Sequence, residues 1–404
     1  MSEPLVIIGN GMAAARLADE LARRALGRYA VAVIGEEPQL AYNRVLLSSL
    51  LADEVALSDI ELKPARWWRD RGVTLRYGAA ATAVDIAART VTLADGARLG
   101  FSKAVFATGS RPVRLSIPGM ELPGVMTFRD LGDVDTMRAQ AGPGARAVVI
   151  GGGLLGLEAA HGLAKSGARV TLVHLMDRLM ERQLDASAAD LLRHAIEARG
   201  VQVLLGAETA HVIGSSRVEG VALKDGRTLA ADLVVVAIGI RPNAALAGEA
   251  GIAVNRGIVV DDGLATSTPG VFAIGECAEH RGLCYGLVEP AHEQAAVLAR
   301  RLAGEGARYD GTVLATNLKV SGVDVFSAGD FIGASGTESV VLRDPGLGTY
   351  RKLVIAQNRL VGAVLYGDTT DGLWYLELIR SGQSVAALRH DLVFGRALAL
   401  RAAA

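Results

Sequence analysis

Short apolar runs alternate with amphipathic, helix-like segments over the first three quarters of the chain. The runs at residues 4–8 and 147–150 contain no polar side chain, which is typical of strands buried on both faces of a parallel sheet. From about Gly311 the texture changes to that of alternating strands, as at residues 350–355 and 360–365. We therefore predict an α/β protein that ends in a separate α+β domain with an antiparallel sheet.

Two of the apolar runs end in glycine-rich turns that lead into helical segments. A GxGxxG turn between a strand and a helix binds the pyrophosphate of a dinucleotide, because backbone N–H groups converge at the helix N-terminus and side chains would block the approach. One such signature is weak evidence, but two in this context, about 140 residues apart, predict two dinucleotide-binding folds. The candidate cofactor-binding residues are Gly9, Gly11, Met12, Ala13 and Ala14 in the first turn and Gly151, Gly153, Leu154, Leu155 and Gly156 in the second. Ala14 replaces the third glycine of the first signature, a position that only allows close packing of helix and strand.

An acidic residue about 20 positions beyond the turn binds the adenosine ribose in such folds. Glu36, at the end of the second predicted strand, fits this role in the first fold. The matching position of the second fold holds His174, and Arg178 follows four residues later. A carboxylate there would repel the 2′-phosphate of NADPH, whereas histidine would not, and Arg178 could bind it. NADH and NADPH are therefore both open; alternatively, His174 stacks on the adenine without discriminating.

Composition narrows the class of protein. Half of the 404 residues are apolar and 48 are glycine, enough for two or three domains with many tight turns. With a net charge of −1, the chain has no excess of positive charge that would attract nucleic acid or anionic lipid. Cys277 and Cys284 are the only cysteines and form no CxxC pair, so we expect no disulfide framework, no protein-borne iron–sulfur cluster and no metal.

The N-terminus lacks the basic region of a signal peptide. The longest run of apolar residues and glycines, residues 147–157, is shorter than a membrane span requires. We expect a soluble cytoplasmic protein that contacts neither nucleic acid nor a membrane.

Further motifs complete a recognisable pattern. Two more strand-like runs are each followed by Arg-Pro, and a glycine–acid motif stands near the end of the region. Over residues 4 to about 310 the pattern resembles the pyridine nucleotide-disulfide oxidoreductase superfamily. The resemblance implies a glutathione-reductase-like fold with FAD in the first dinucleotide fold and NADH or NADPH in the second. The candidate cofactor-binding residues in these motifs are Thr108, Gly109, Gly239, Gly275 and Glu276.

The resemblance also implies roles for single side chains. Glu276 takes the place of the acid that binds the ribityl–pyrophosphate arm of FAD. A helix opening near Glu289 and Pro290 would direct its N-terminus at the N1–O2 edge of the flavin and stabilise its reduced anion. Glu158 and Arg44 are the candidate catalytic residues. Glu158 would accept a hydrogen bond from the nicotinamide carboxamide, unless it is a solvated helix carboxylate. Arg44 would lie close to the flavin, unless it is a surface arginine.

Superfamily members that relay electrons through thiols carry a cysteine where this chain has Ser49, a further candidate cofactor-binding residue. No thiol relay is therefore expected. Electrons should pass from the flavin directly to an external acceptor, as they do in rubredoxin and ferredoxin reductases. Ferredoxin reductases often have lysine at the position of Ser49, so the chain departs from them there.

A narrower resemblance extends over nearly the full length. The segments 42–48, 173–185, 275–278, 362–369 and 378–382 look like the N-terminal flavin module of assimilatory NAD(P)H nitrite reductase. In that enzyme a [2Fe–2S] domain and a sirohaem domain follow the module, and this chain stops about where they would begin. The resemblance implies a reductase part without the nitrite-reducing centre, similar to the separate reductase subunits of assimilatory nitrate reductases.

We accordingly predict hydride transfer from NAD(P)H to FAD, then single-electron transfer to a redox protein. That acceptor would be a nitrate reductase catalytic subunit or a ferredoxin-like or rubredoxin-like protein. The alternatives are a rubredoxin or ferredoxin reductase and, of another class, a flavin-based NADH sensor. A homodimer is left open. The predicted domains are residues 1–113 and 242–310 for FAD, 114–241 for NAD(P)H and 311–404 for the C-terminal α+β domain.

Overall fold

The structure is a computed structural model that describes residues 2–320 and 322–402. The chain divides into two compact units. The first unit comprises Met1–Leu50, Val55–Pro112 and Ile240–Thr312, and the second comprises Leu51–Glu54, Val113–Gly239 and Val313–Ala404.

The described strands, in chain order, are β1 (Glu3–Ile8), β2 (Tyr29–Gly35), β3 (Thr74–Tyr77), β4 (Ala81–Asp85), β5 (Thr90–Leu93), β6 (Arg98–Gly100), β7 (Lys103–Phe106), β8 (Ser110–Pro112), β9 (Val125–Thr127), β10 (Arg146–Ile150), β11 (Arg169–Val173), β12 (Val201–Leu204), β13 (Thr209–Ile213), β14 (Gly220–Leu223), β15 (Thr228–Ala230), β16 (Leu233–Val236), β17 (Ile240–Pro242), β18 (Ile258–Val260), β19 (Val271–Ala273), β20 (Ala278–His280), β21 (Leu283–Cys284), β22 (Ala315–Val320), β23 (Val323–Gly329), β24 (Glu338–Asp344), β25 (Thr349–Ala356) and β26 (Arg359–Tyr366).

The described α-helices are α1 (Met12–Arg24), α2 (Leu47–Leu51), α3 (Leu57–Ile60), α4 (Ala65–Asp70), α5 (Leu131–Gln140), α6 (Leu154–Lys165), α7 (Ala186–Glu197), α8 (Ala245–Glu249), α9 (Val288–Leu302), α10 (Gly372–Ser381) and α11 (Arg396–Ala402). Short 3-10 helices span Arg44–Leu46, Gly275–Cys277, Ala386–Leu388 and Leu392–Phe394.

The first unit is built on a parallel sheet in the order β19-β7-β1-β2-β3. Leu5 and Ile7 of β1 are fully buried, as expected of a central strand covered on both faces. The helices α1 and α9 pack against each other over this unit. Because β1 pairs with β2 on one side and β7 on the other, the strand order reverses beside it. Open α/β sheets bind their ligands at such a point, outside the carboxyl ends of the strands.

The second unit contains a matching parallel sheet in the order β12-β11-β10-β16-β9. Here β10 lies between β11 and β16, as β1 lies between β2 and β7. The strand β16 consists of a leucine and three valines, all buried. The second unit therefore presents its own strand-order reversal at the carboxyl end of β10.

The second unit also holds the C-terminal antiparallel sheet, in the order β22-β23-β26-β25-β24. Two tyrosines attach this sheet to the helix α7 of the nucleotide-binding part. The Tyr350 hydroxyl donates to Asp185 Oδ2 at 2.6 Å, and the Tyr366 hydroxyl donates to the carbonyl oxygen of Leu191 at 3.1 Å. Asp185 is also the N-cap of α7. The sheet thus contacts the helix that follows the second dinucleotide strand pair.

These sheets confirm the predicted fold class, two Rossmann-like sheets with a C-terminal antiparallel α+β part. The four-segment domain boundaries stay a prediction, since the second unit joins the second Rossmann sheet and the C-terminal sheet. Over residues 2–320 and 322–402, no helix reaches both the length and the apolar character that crossing a bilayer demands.

The partly buried carboxyl group of Asp133 contributes a pH dependence to the stability of the second unit. Asp133 lies in the first turn of α5, where it accepts the Arg129 amide at 2.6 Å and the Thr127 hydroxyl at 3.3 Å. Burial, together with the nearby Asp130 carboxylate, raises the pKa of Asp133 to about 6. Ionisation is therefore easier in the unfolded chain. The stability associated with this group is complete below the unfolded pKa, near 4, and is lost as pH rises through about 6.

We expect Asp133→Asn to raise the melting temperature at pH 8 by roughly 2–4 °C, because an amide avoids the cost of a buried charge. The gain should vanish below about pH 4, where the aspartate becomes protonated in both the folded and the unfolded state. Asp135→Asn, an exposed position on the same helix, is the control and should show no such pH-dependent gain. Equal gains at both pH values would show that Asp133 does not titrate as described.

Candidate functional site

The first glycine turn follows β1 directly and lies against the end of β7. Gly9 has φ +118°, a conformation that strongly favours glycine, and a Cβ there would overlap the carbonyl oxygen of Ala107. Its amide donates to the carbonyl oxygen of Ile34, at the end of β2, at 2.8 Å. The turn is thereby held between the ends of both strands that flank β1.

Gly11 leaves the N-terminus of α1 open. It is the N-cap of α1, no side chain of the described residues caps the helix, and the first turn contains no acidic residue. A Cβ at Gly11 would meet no described atom within 4 Å. The first N–H groups of an α-helix have no partner within the helix, and their partial positive charge favours an anion. These features fit the pyrophosphate of a dinucleotide.

The second glycine turn repeats this geometry in the second unit. Gly151 has φ +121°, its amide donates to the carbonyl oxygen of Val173 at 2.8 Å, and a Cβ would overlap the carbonyl oxygen of Ala237. Gly153 is the uncapped N-cap of α6, with open space where a Cβ would point. A Cβ at Gly156 would overlap the carbonyl oxygen of Gly151, so helix and strand approach closely. This second helix terminus also fits a pyrophosphate.

Further predicted residues of the first unit converge on the first turn. Gly275 has φ +80°, and a Cβ there would lie 3.1 Å from the Ala13 Cβ atom. The glycine–acid motif thus lies against the first turn of α1. Next to it, Glu276 Oε2 accepts the Ser110 hydroxyl at 2.7 Å, and a Cβ on Gly109 would lie 3.9 Å from the same oxygen.

Two side chains that the sequence analysis did not single out hold these segments. The buried Gln294 of α9 accepts the Gly275 amide through Oε1 at 2.7 Å. The backbone carbonyl oxygen of Asn243 accepts the Thr108 hydroxyl at 2.6 Å. The side-chain amide of Asn243 donates to the backbone carbonyl oxygen of Thr108 at 3.0 Å. In the sequence, Gln294 could have been found only from its position one helical turn after Pro290, which places both residues on the same face of α9.

The predicted helix opening lies at the start of α9. The helix begins at Val288, Glu289 is in its first turn, and Pro290 is buried. Proline is tolerated there because its missing N–H would have no partner within the helix. Among the described residues, no side chain caps α9, which in this respect is like α1 of the same unit.

The two glutamates that follow β2, Glu36 and Glu37, differ in exposure and in contacts. Glu36 is exposed, as a residue available to a ribose would be. Glu37 accepts the Tyr42 hydroxyl at 2.6 Å and forms an ion pair with Arg44. The Arg44 guanidinium carbon lies 4.9 Å from the centre of the Tyr42 ring. Arg44 is therefore held by Glu37 and Tyr42, while Ser49 is half-buried on α2. Glu37 was not singled out in the sequence.

His174 lies beneath the second turn and is only 8 % exposed. Its Nδ1 accepts the Gly152 amide at 3.0 Å, and its Nε2 lies 3.1 Å from Glu181 Oε2. A Cβ at Gly152 would lie 2.6 Å from the imidazole ring. The ring thus supports the turn, a contact that the sequence pattern did not indicate. A direct role of His174 at the ribose stays a prediction.

The remaining predicted residues of the second unit are Arg178, Glu158 and Gly239. Arg178 donates through Nη1 to Asp177 Oδ1 at 3.1 Å. Glu158 is half-buried on α6. Gly239 has φ +116° and open space where a Cβ would point. Their contacts with a nucleotide stay predictions.

Two uncapped helix termini, each opened by a glycine turn at the carboxyl end of a parallel sheet, define a protein that binds two dinucleotides. The chain belongs to the pyridine nucleotide-disulphide oxidoreductase family, whose model matches residues 3–299. A second model, the rubredoxin NAD+ reductase C-terminal domain, matches residues 315–383. The predicted resemblance is confirmed, and with it FAD and NAD(P)H as the cofactors of the family.

Curated relatives cover nearly all of the chain. It is 45% identical to the NAD(P)H nitrite reductase of Bacillus subtilis (strain 168), over 95% of this chain and 48% of the relative. It is 38% identical to the assimilatory nitrate reductase electron transfer subunit of the same organism, over 96% of this chain and 51% of the relative. The chain spans about half the length of these curated relatives.

A solved structure matches nearly the whole chain. It is a chain from the crystal structure of the covalent complex of putidaredoxin reductase with putidaredoxin. The two chains are 25% identical and superpose with a TM-score of 0.89, over 99% of this chain and 98% of that chain. The likeness therefore extends to the C-terminal part as well as to both Rossmann sheets.

The two glycines of the first turn should respond differently to the same substitution. We expect Gly11→Ala to fold but to bind FAD at least about tenfold more weakly, because the methyl group enters the open space at the helix N-terminus and disrupts charge-assisted hydrogen bonds there. Gly9→Ala should destabilise the chain itself, because its methyl group meets the Ala107 carbonyl.

FAD titration and the melting temperature of the FAD-free proteins separate the two effects. Gly11→Ala without FAD should melt with the FAD-free parent, and Gly9→Ala well below it. Full FAD affinity in Gly11→Ala would exclude this helix terminus as the pyrophosphate site.

Proposed function

We propose that this chain is an NAD(P)H-dependent FAD oxidoreductase that passes electrons to a protein redox partner in assimilatory nitrate or nitrite reduction. The observation that carries the proposal is the pair of dinucleotide turns in a chain whose two cysteines are not bonded to each other. Such a chain can take electrons from a nicotinamide and has no disulfide to receive them.

Neither cysteine is suited to relay electrons. Cys277 is fully buried, its thiol lies 3.3 Å from the carbonyl oxygen of Ile274, and burial raises its pKa. Cys284 is half-buried, and burial together with the neighbouring Glu279 carboxylate raises its pKa. A thiol with a raised pKa is a weak nucleophile near neutral pH, because the thiolate is the reactive form. The acceptor must therefore be external.

The residues of the first unit fit FAD. The N–H groups of Met12, Ala13 and Ala14 would bind its pyrophosphate, and Glu36 its adenosine ribose. Glu276, oriented by Ser110, would bind the ribityl–pyrophosphate arm. The open N-terminus of α9 would stabilise negative charge on the flavin. Bound FAD would supply the chemistry that couples two-electron hydride transfer from a reduced nicotinamide to single-electron transfer.

The second unit fits the nicotinamide dinucleotide. The N–H groups of Leu154, Leu155 and Gly156 would bind its pyrophosphate. Glu158 would orient the carboxamide, and Arg178 remains a candidate for a 2′-phosphate. In the first unit, Arg44, which is paired with Glu37, would lie close to the flavin.

The two relatives support the place in metabolism. One is a nitrite reductase and the other an electron transfer subunit of a nitrate reductase. Because the chain aligns with about half of each, the proposal covers the supply of electrons and not the reduction of nitrite. A nitrate reductase catalytic subunit is the proposed partner. A homodimer and a cytoplasmic location stay proposals.

A second candidate is a rubredoxin or ferredoxin reductase. It is favoured by the match of residues 315–383 to the rubredoxin reductase C-terminal domain and by the likeness to a reductase in complex with putidaredoxin. The two candidates share the same cofactor chemistry and differ in the acceptor protein.

Anaerobic rapid mixing tests the function and separates the candidates. The NADH-reduced protein is mixed with a molybdenum nitrate reductase subunit, a [2Fe–2S] ferredoxin, a rubredoxin or aerated buffer, and reoxidation of the flavin is followed. We expect a protein acceptor to be faster than oxygen, and the fastest acceptor identifies the partner class. The Cys284→Ser variant is the control and should keep the rate, because no thiol takes part. Fastest reoxidation by oxygen, or no reoxidation, would reject the proposal.

A further inference from the structure

The second dinucleotide fold lacks an acid at the strand end where a ribose is bound. In folds of this kind a carboxylate at the end of the second strand accepts hydrogen bonds from the adenosine ribose. Here β11 ends at Val173 and the next residue is the buried His174. A buried ring bonded to the turn is not itself an acceptor for the ribose hydroxyls.

The bonds of the imidazole ring determine which nitrogen carries the proton. Nδ1 accepts the Gly152 amide at 3.0 Å, so it holds no proton. The proton of the neutral ring therefore lies on Nε2, which donates to Glu181 Oε2 at 3.1 Å. The ring thereby joins the glycine turn to a carboxylate seven residues further along the chain.

The backbone beside Glu181 is fixed to the same turn. The Met180 amide donates to the Gly152 carbonyl oxygen at 3.0 Å, so Gly152 is bonded through both its N–H and its C=O. Leu179 and Met180 are fully buried. Glu181 therefore follows a rigid segment that lies directly against the pyrophosphate turn.

The Glu181 side chain remains accessible. Its side chain is 24 % exposed, and no lysine or arginine in the described part of the chain forms an ion pair with it. Of the two nearest arginines, Arg178 is paired with Asp177, and the exposed Arg182 forms no ion pair with Glu181 among the described residues. A ribose 2′-hydroxyl at this place could donate to Glu181, whereas a 2′-phosphate would meet its charge.

We propose that Glu181, positioned by His174, is the carboxylate that binds the adenosine ribose of the nicotinamide dinucleotide, and that the chain consequently selects NADH over NADPH. This inference deepens the proposed function, because it rests on the dinucleotide site of the second unit. His174 acts as a positioning residue in it and does not touch the nucleotide.

Binding measured without any acceptor protein tests the inference. Dissociation constants for NAD+ and NADP+ are determined by calorimetry on the FAD-loaded protein. We expect NADP+ to bind at least about tenfold more weakly than NAD+ in the parent, since a hydrogen bond to a charged group is replaced by repulsion. Glu181→Gln should weaken NAD+ binding, strengthen NADP+ binding and narrow their ratio by about tenfold.

Glu197→Gln on α7 is the matched control, because it removes the same charge from a carboxylate paired with Arg193. It should leave both constants unchanged. Parent protein that binds the two nucleotides equally, or a ratio that Glu181→Gln leaves unchanged, would overturn the inference.

His174→Phe tests the positioning role, since phenylalanine keeps a ring but forms neither bond. We expect it to narrow the NAD+/NADP+ ratio as Glu181→Gln does, and the double variant to add little, because both changes remove one coupled unit. If His174→Phe lowered the melting temperature but left the NAD+/NADP+ ratio unchanged, His174 would have only a structural role. That result would overturn its role in positioning Glu181. Binding is independent of electron delivery, so failure of the proposed acceptor chemistry would leave this result interpretable.

Discussion

The close approach of a glycine to the end of a neighbouring strand is the constraint on which both candidate sites depend. Gly9 lies against the Ala107 carbonyl and Gly151 against the Ala237 carbonyl, each with a positive φ. Each glycine also donates its amide to the strand on the other side. The turn is therefore locked between three strand ends, and the following helix begins with its N-terminus directed at the sheet edge. An anion-binding site results from backbone geometry alone.

The two units support this shared turn with different side chains. In the first unit an exposed acid, Glu36, follows the strand, and its neighbour Glu37 holds Tyr42 and Arg44. In the second unit a buried imidazole stands at the strand end and carries a carboxylate from further along the chain. The same backbone thus offers each dinucleotide a different set of polar groups, which is what two distinct cofactors require.

The C-terminal sheet is attached to the nucleotide-binding part of the second unit through two buried tyrosines, Tyr350 and Tyr366. Asp185 caps α7, ends the segment that begins at His174, and accepts the Tyr350 hydroxyl of β25. Burial and that hydrogen bond to the carboxylate raise the pKa of Tyr350, so the phenol stays protonated as a donor. The family match of this sheet to a reductase C-terminal domain is consistent with its attachment to the nucleotide-binding part.

The sequence by itself determined the fold class, the two turns and the absence of a thiol pair, because these depend on local features: apolar runs, glycines at fixed spacing and a count of cysteines. It also placed Glu36 after a strand. Tertiary structure alone decided that His174 faces Gly152, 22 residues away in sequence, and that Ser110 orients Glu276, 166 residues away. It likewise decided that Gln294 binds Gly275 and that Glu181 lies beside the turn. The direction of a side chain and the partner of a buried polar atom depend on which distant strands and helices pack together, and spacing along one chain does not encode that packing in a readable form.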